Sequence, residues 1–194
     1  MKNTNRNWLL LALLLPALSG CEVLVATGIV TGVGTGLAVS EDRRTSGTFV
    51  EDEGIEIKSA KLIREKLGAN VHVNVTSFNR NVLLTGEAPT GAMKKEVENL
   101  VMGISNVRNV TNEITVANVS TLISRSNDML ITTKVKGRFL DGGRFQINHV
   151  KVVTENGVVY LLGLVKRQEA ESASEIASST SGVVKVVKVF EYLD

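Results

Sequence analysis

The side chains that could do chemistry are few and scattered along the 194 residues. The chain has one cysteine, Cys21, and two histidines, His72 and His149. A lone thiol cannot form an internal disulfide, and it lacks the clustered partners that a thiolate metal site requires. His72 alternates with Val71, Val73 and Val75, which places it on the opposite and solvent-facing side of a strand. His149 precedes a strand in a polar loop, and neither histidine has a carboxylate or second imidazole at ligand spacing. Both are expected to be ordinary surface histidines. The serines of "SASEIASSTSG" belong to no nucleophile elbow or triad and fit an amphipathic helix with Ile176 and Ala177 inward. Glu96 and Glu98 share a solvated helix face with Lys94 and Lys95. The Gly32-Val-Gly34-Thr-Gly36 run lacks the Lys-Ser/Thr of a phosphate loop and is not a GxGxxG. The expectation is therefore a protein that is not an enzyme, with no catalytic residue, no metal ligand and no cofactor.

Cys21 gains meaning from what precedes it. Lys2 and Arg6 form a short basic segment, and Trp8 to Leu15 is an uncharged apolar run too short to span a bilayer. Leu18-Ser19-Gly20-Cys21 follows, and this resembles the lipobox of bacterial lipoproteins. The resemblance implies a signal peptide over residues 1–20 and a diacylglyceryl group on the Cys21 thiol, with the acyl chains, palmitate among them, as the anchor. Val23 to Val39 is then an uncharged stretch whose glycines at 28, 32 and 36 repeat a small-xxx-small spacing. It reads as an apolar, glycine-rich tether beside the bilayer, over a packed helical hairpin or oligomer seam as the alternative. The charged run Glu41-Asp42-Arg43-Arg44 and the small residues to Gly47 read as a solvated linker.

Removal of the signal changes the electrostatics. The whole chain holds 22 basic and 20 acidic residues, and Lys2 and Arg6 account for the difference, so the remainder is formally neutral. That balance gives no support to nucleic-acid binding. The neutrality is uneven: residues 121–194 hold ten basic against eight acidic groups, residues 51–120 eight against nine.

The element that must position any surface chemistry in that more cationic half is "SNDMLITTKVKGRF", Ser126 to Phe139. Ile131, Val135 and Phe139 recur at i, i+4, i+8 and form a buried stripe. At about 100° per residue Met129 and Leu130 lie off that stripe, Leu130 nearly opposite its centre and in line with Lys134 and Arg138. An exposed Leu above a row of cations suits the headgroup–acyl boundary of an anionic bilayer.

Around this helix the chain repeats itself. A helix marked by Ala60, Ile63 and Leu67 precedes strands "VHVNVTSF" and "NVLLTGEA", a helix around "AMKKEVENLVMGI" and a last strand in "VRNVTNEITV". The second round has a helix over Met129 to Leu140, a strand in "HVKVVTE", and a hairpin turn at Asn156-Gly157. It closes with a strand "VVYLLGLV", a helix "RQEAESASEIASS" and a final strand "VVKVVKVFEYL". Gly86 aligns with Gly163 and Val107 with Val184.

These units resemble BON domains, on the strands ending in glycine (Leu83-Leu84-Thr85-Gly86 and Leu161-Leu162-Gly163), the helices after them, and the Val107 and Val184 strands. With the lipobox, the whole resembles the dual-BON outer-membrane lipoproteins of Gram-negative bacteria. The resemblance implies an α+β fold of two tandem αββαβ domains, each a small mixed three-stranded sheet against two helices. The expected divisions are signal 1–20, tether 21–47, first domain 48–118 and second domain 119–194. It also implies an anchor in the outer membrane on its periplasmic face, a contribution to membrane integrity, and concentration at the division site. The expected partner is anionic phospholipid, such as phosphatidylglycerol or cardiolipin, bound through the first helix of the second domain. In related proteins that helix often carries an aromatic where Leu130 stands. The expected contact set is Met129, Leu130, Thr133, Lys134, Lys136, Gly137 and Arg138, with envelope protein partners possible. The alternative is a protein–protein adaptor or assembly cofactor that docks through the same helix.

Overall fold

The computed structural model of the protein describes residues 42–194; Cys21, the apolar run before it and the glycine-rich stretch 23–39 lie outside the described residues. The fold is α+β, built from two αββαβ units in tandem.

The first unit begins with helix α1, Ser46–Leu67, capped by Thr45, whose hydroxyl accepts from Thr48 N–H at 3.1 Å. Its buried positions Asp52, Ile55, Ser59, Ile63 and Leu67 keep the three- and four-residue spacing of one helical face. Strands β1, His72–Phe78, and β2, Asn81–Ala88, form an antiparallel hairpin. The turn residues Asn79 and Arg80 both have positive φ, 51° and 63°, as a two-residue turn matched to strand twist demands. Helix α2, Gly91–Met102, carries the chain over to β3, Asn109–Asn112, and β4, Thr115–Val116, both parallel to β2. The single last strand expected from the sequence is thus broken at Glu113-Ile114, where the Asn112 side chain accepts from Ile114 N–H at 3.2 Å.

The second unit repeats the order with α3, Leu122–Gly142, β5, Val150–Glu155, β6, Val158–Val165, α4, Arg167–Ser178, and β7, Lys185–Tyr192. β5 and β6 are antiparallel, and β7 lies parallel to β6. Their hairpin turn is Asn156-Gly157, again at positive φ. The aligned glycines have one job: a Cβ on Gly86 would run into the carbonyl oxygen of His72 on β1, and one on Gly163 into that of His149 just before β5.

Each sheet has two buried faces. One lies beneath its own helices, with Ile55, Val82, Leu84 and Val97 in the first core and Ile131, Val135, Phe139 and Leu161 in the second. The other faces meet, packing Phe78 and Leu83 of the first unit against Tyr160, Leu162 and Leu164 of the second. The layers run helices, sheet, sheet, helices. That arrangement accounts for the seven consecutive buried residues in both β2 and β6, since a strand covered on two sides has no solvent-facing side to alternate.

The reading of residues 42–47 as solvated linker is corrected here. Arg44 makes ion pairs with Asp42 at 2.7 Å and Asp52 at 2.9 Å, and its guanidinium stacks over Phe78. Arg43 reaches the other unit, donating to the Leu164 carbonyl at 2.8 Å and pairing with Glu169 at 2.6 Å. One dipeptide therefore grips both units before α1 starts.

Candidate membrane-facing helix

Helix α3 presents two apolar faces, and only one is covered. Thr121 starts the helix by accepting from Ser124 N–H at 3.2 Å, and Gly143, left-handed at φ 57°, ends it. Ile131, Val135 and Phe139 are at most 1% exposed against the sheet. Asp128 shares that buried face, accepting from the Asn156 and Gly157 amides at 2.9 and 2.8 Å, which locks the helix onto the hairpin turn.

The opposite face carries Leu122, Ile123, Met129, Leu130 and Leu140, exposed by 78, 83, 72, 60 and 65%. Leu130 is therefore clear of the sister domain, as the helical phase predicts. From Leu122 to Leu140 the row runs roughly 27 Å at about 1.5 Å per residue. Ser126, Thr133 and Gly137 fill the gaps without charge; the Thr133 hydroxyl turns back to the Met129 carbonyl at 2.9 Å, and Gly137 borders open space. The corresponding outer side of α1 differs, since Val50 and Ile57 there are interspersed with exposed Glu53, Lys61 and Arg64.

The cations beside the row are unequal. Lys134 and Lys136 are exposed and, among the described residues, have no hydrogen-bond or ion-pair partner. Arg138 is engaged, donating to the Ile176 carbonyl at 3.0 Å and the Thr180 hydroxyl at 2.9 Å, where it caps the last turn of α4. Both bonds come from Nη1 of a residue that is otherwise exposed, so Arg138 has a structural task beside its expected place among the phosphate-facing cations. Leu140 was read as the end of the helix but left out of the contact set, and Leu122 and Ile123 were absent from the sequence reading, which started the helix at Met129. The signal for them was Thr121, a capping residue type directly before two large apolar residues. No helix among the described residues is long and apolar enough to cross a membrane.

Both histidines depart from expectation because the surfaces they were assigned to are covered. His72 faces the sister unit, with Nδ1 3.0 Å from the Glu87 carboxylate. Glu87 is 2% exposed and also accepts from the Asn156 side chain at 2.8 Å and the Ser120 amide at 3.2 Å. Burial pushes its carboxyl up, and these hydrogen bonds outweigh it, leaving Glu87 below the usual range. Across the junction Glu155 accepts from Asn74 at 2.8 Å, but burial, with the Glu87 charge nearby, holds its carboxyl above the usual range. His149 is buried under Glu169, 3.4 Å from its carboxylate. Burial works against the Glu169 charge, and Arg43 with the Lys166 amide overcomes it, bringing the carboxyl down to about 2.

Comparison with known proteins agrees with the repeat. The BON domain model matches residues 58–118 and 127–194. The chain is 39% identical over 189 residues to the "Outer membrane lipoprotein DolP" of Haemophilus influenzae, covering 95% of this chain and 96% of that protein. It is 36% identical over 154 residues to the "21 kDa hemolysin" of Actinobacillus pleuropneumoniae, covering 78% of this chain and 79% of that protein. To "Osmotically-inducible protein Y" of Escherichia coli it is 27% identical over 160 residues, 80% of each chain.

Proposed function

The chain belongs to the BON-domain family, and from that premise we propose that it is an outer-membrane lipoprotein, held by lipid on Cys21, whose α3 lies on an anionic phospholipid surface. The observation that carries the membrane reading is the uncovered row from Leu122 to Leu140 beside the unpaired Lys134 and Lys136. Each cation held at an anionic surface is worth on the order of 1 kcal/mol, and each methylene buried among acyl chains about 0.8. Partial insertion of five side chains therefore contributes a few kcal/mol. That is modest for a free protein and ample for one whose anchor already confines it near the bilayer. The role is positional and carries no reaction: a tethered module laid flat on phosphatidylglycerol- or cardiolipin-rich leaflet on the periplasmic face, contributing to envelope integrity and to enrichment at the division site.

The test uses the chain from residue 21 onward with Cys21→Ser, so that no acyl chain contributes. It should sediment with vesicles containing phosphatidylglycerol, ignore purely phosphatidylcholine vesicles, and release as salt rises. Binding to neither kind of vesicle would leave α3 as a protein-docking helix, the adaptor reading.

A further inference from the structure

We propose that the junction between the two domains is a divalent transition-metal site, of a kind suited to Zn2+, with His72, Glu87 and Glu155 as ligands. The proposal goes beyond the membrane reading and does not depend on it. One ligand atom from each of these three residues lies within 4.8 Å of the others, and His72 Nδ1 and the Glu87 carboxylate are already 3.0 Å apart. Zinc–nitrogen and zinc–oxygen bonds of about 2.0–2.2 Å in a tetrahedron put ligand atoms roughly 3.4 Å from one another, so closure needs a side-chain movement of about 1 Å. A fourth position remains for water.

The surroundings are those of a held ligand set. Glu87 receives the Asn156 side chain and the Ser120 amide, and Glu155 receives the Asn74 side chain, so neither carboxylate is free to swing. Outer hydrogen bonds of this kind orient metal-binding carboxylates. Two carboxylates buried to 2% and 7% exposure face a single imidazole, a local excess of negative charge that a dication neutralises. At the rim of the cleft Asp128 and Arg125 carry opposite charges, so the excess rests on the two glutamates. The Thr85 hydroxyl, on the same strand as Glu87, is 1% exposed and has no hydrogen-bond partner. Thr85 lies on the same inter-sheet face, two residues from Glu87 and opposite Asn74 in the strand register. A cleft of about 270 Å³, bordered by His72, Asp128, Met129 and Glu155, gives an ion a way in.

An imidazole with two carboxylates selects zinc-like ions over Ca2+ and Mg2+, which take oxygen ligands in larger number. Since His72 and Glu87 come from the first domain and Glu155 from the second, the ion would staple the two together beside the root of α3. The decisive experiment titrates Zn2+, with Ca2+ and Mg2+ as comparators, into the metal-stripped Cys21→Ser chain, followed by calorimetry and thermal unfolding. One site per chain and a Tm that rises to saturation with Zn2+ alone are expected. His72→Gln and Glu155→Gln should each weaken uptake at least thirtyfold and abolish the Tm rise, while leaving the metal-free circular dichroism unchanged; His149→Gln should bind as the parent does. Co2+ in place of Zn2+ should give the visible absorption of a tetrahedral nitrogen–oxygen site, lost in Glu155→Gln. Absent saturable uptake, uptake indifferent to both ligand substitutions, or equal uptake of Ca2+ would overturn the assignment.

Discussion

Asp52 and Asp128 do the same work in the two halves of the molecule. Each is a nearly buried carboxylate on the first helix of its unit, and each accepts the amides of the hairpin turn beneath, Asn79 and Arg80 at 2.8 and 2.7 Å, Asn156 and Gly157 at 2.9 and 2.8 Å. Hydrogen bonds to a charged acceptor contribute about 1.5–3 kcal/mol, and the amides left behind would be unsatisfied. Asp128→Ala should therefore lower unfolding free energy by about 2–4 kcal/mol in a urea titration, with Leu130→Glu, on the far side of the same helix, within about 0.5 kcal/mol of the parent. Glu169 supplies a pH signature. Its folded value falls from 4.5 to about 2, so its contribution is complete above pH 4.5 and fades as pH drops from 4.5 toward 2. The Tm of the parent should decline through that window more steeply than the Tm of Glu169→Gln; parallel curves would show that the Arg43 pair contributes nothing. None of these carboxylates stood out in the sequence. Asp128 falls in line with Ile131 and Val135 on the helical wheel, and only the location of the turn it caps explains a charge there.

At the scale of the element, α3 is a helix asked to satisfy two solvents. Its inner row was legible because Ile131, Val135 and Phe139 keep the helical period, and Leu130 was legible as an outlier from the same period. The length of the outer row was not, since a helix read from its strongest periodicity starts where that periodicity starts, and Leu122 and Ile123 lie before it. Arg138 carries a role the helical period does not show, since one nitrogen of this exposed guanidinium is tied to the end of α4. Three outcomes follow. Ile131→Asp buries an unpaired charge and should unfold the second domain, at a cost of several kcal/mol. Leu140→Glu should weaken vesicle binding several-fold with no loss of stability, which a contact surface confined to residues 129–138 would not produce; Lys134→Gln with Lys136→Gln should flatten the salt dependence of binding.

The whole molecule is held together by sheets packed back to back. The element order and both hairpins could be read from the chain, but the covering of one sheet by the other could not, because alternation shows that a strand has two faces without showing what meets the second. His72 illustrates this: its alternation with valines was read correctly, and the face it lies on is partly covered by the sister unit. The cue was present in β6, whose near-continuous apolar run fits a strand buried on both sides, but β2 hides it behind Thr85 and Glu87. Separated from its partner, the second domain would expose Tyr160, Leu162 and Leu164 together, so residues 119–194 alone should self-associate in gel filtration where the Cys21→Ser chain elutes without such aggregates. For that reason the membrane question belongs to the intact pair of domains. The most direct measurement is co-sedimentation of the unlipidated Cys21→Ser chain with phosphatidylglycerol vesicles, beside the same chain carrying Leu130→Glu. The account predicts a bound fraction for the first that falls at least fivefold in the second, with matching unfolding curves; equal binding by the two would contradict it.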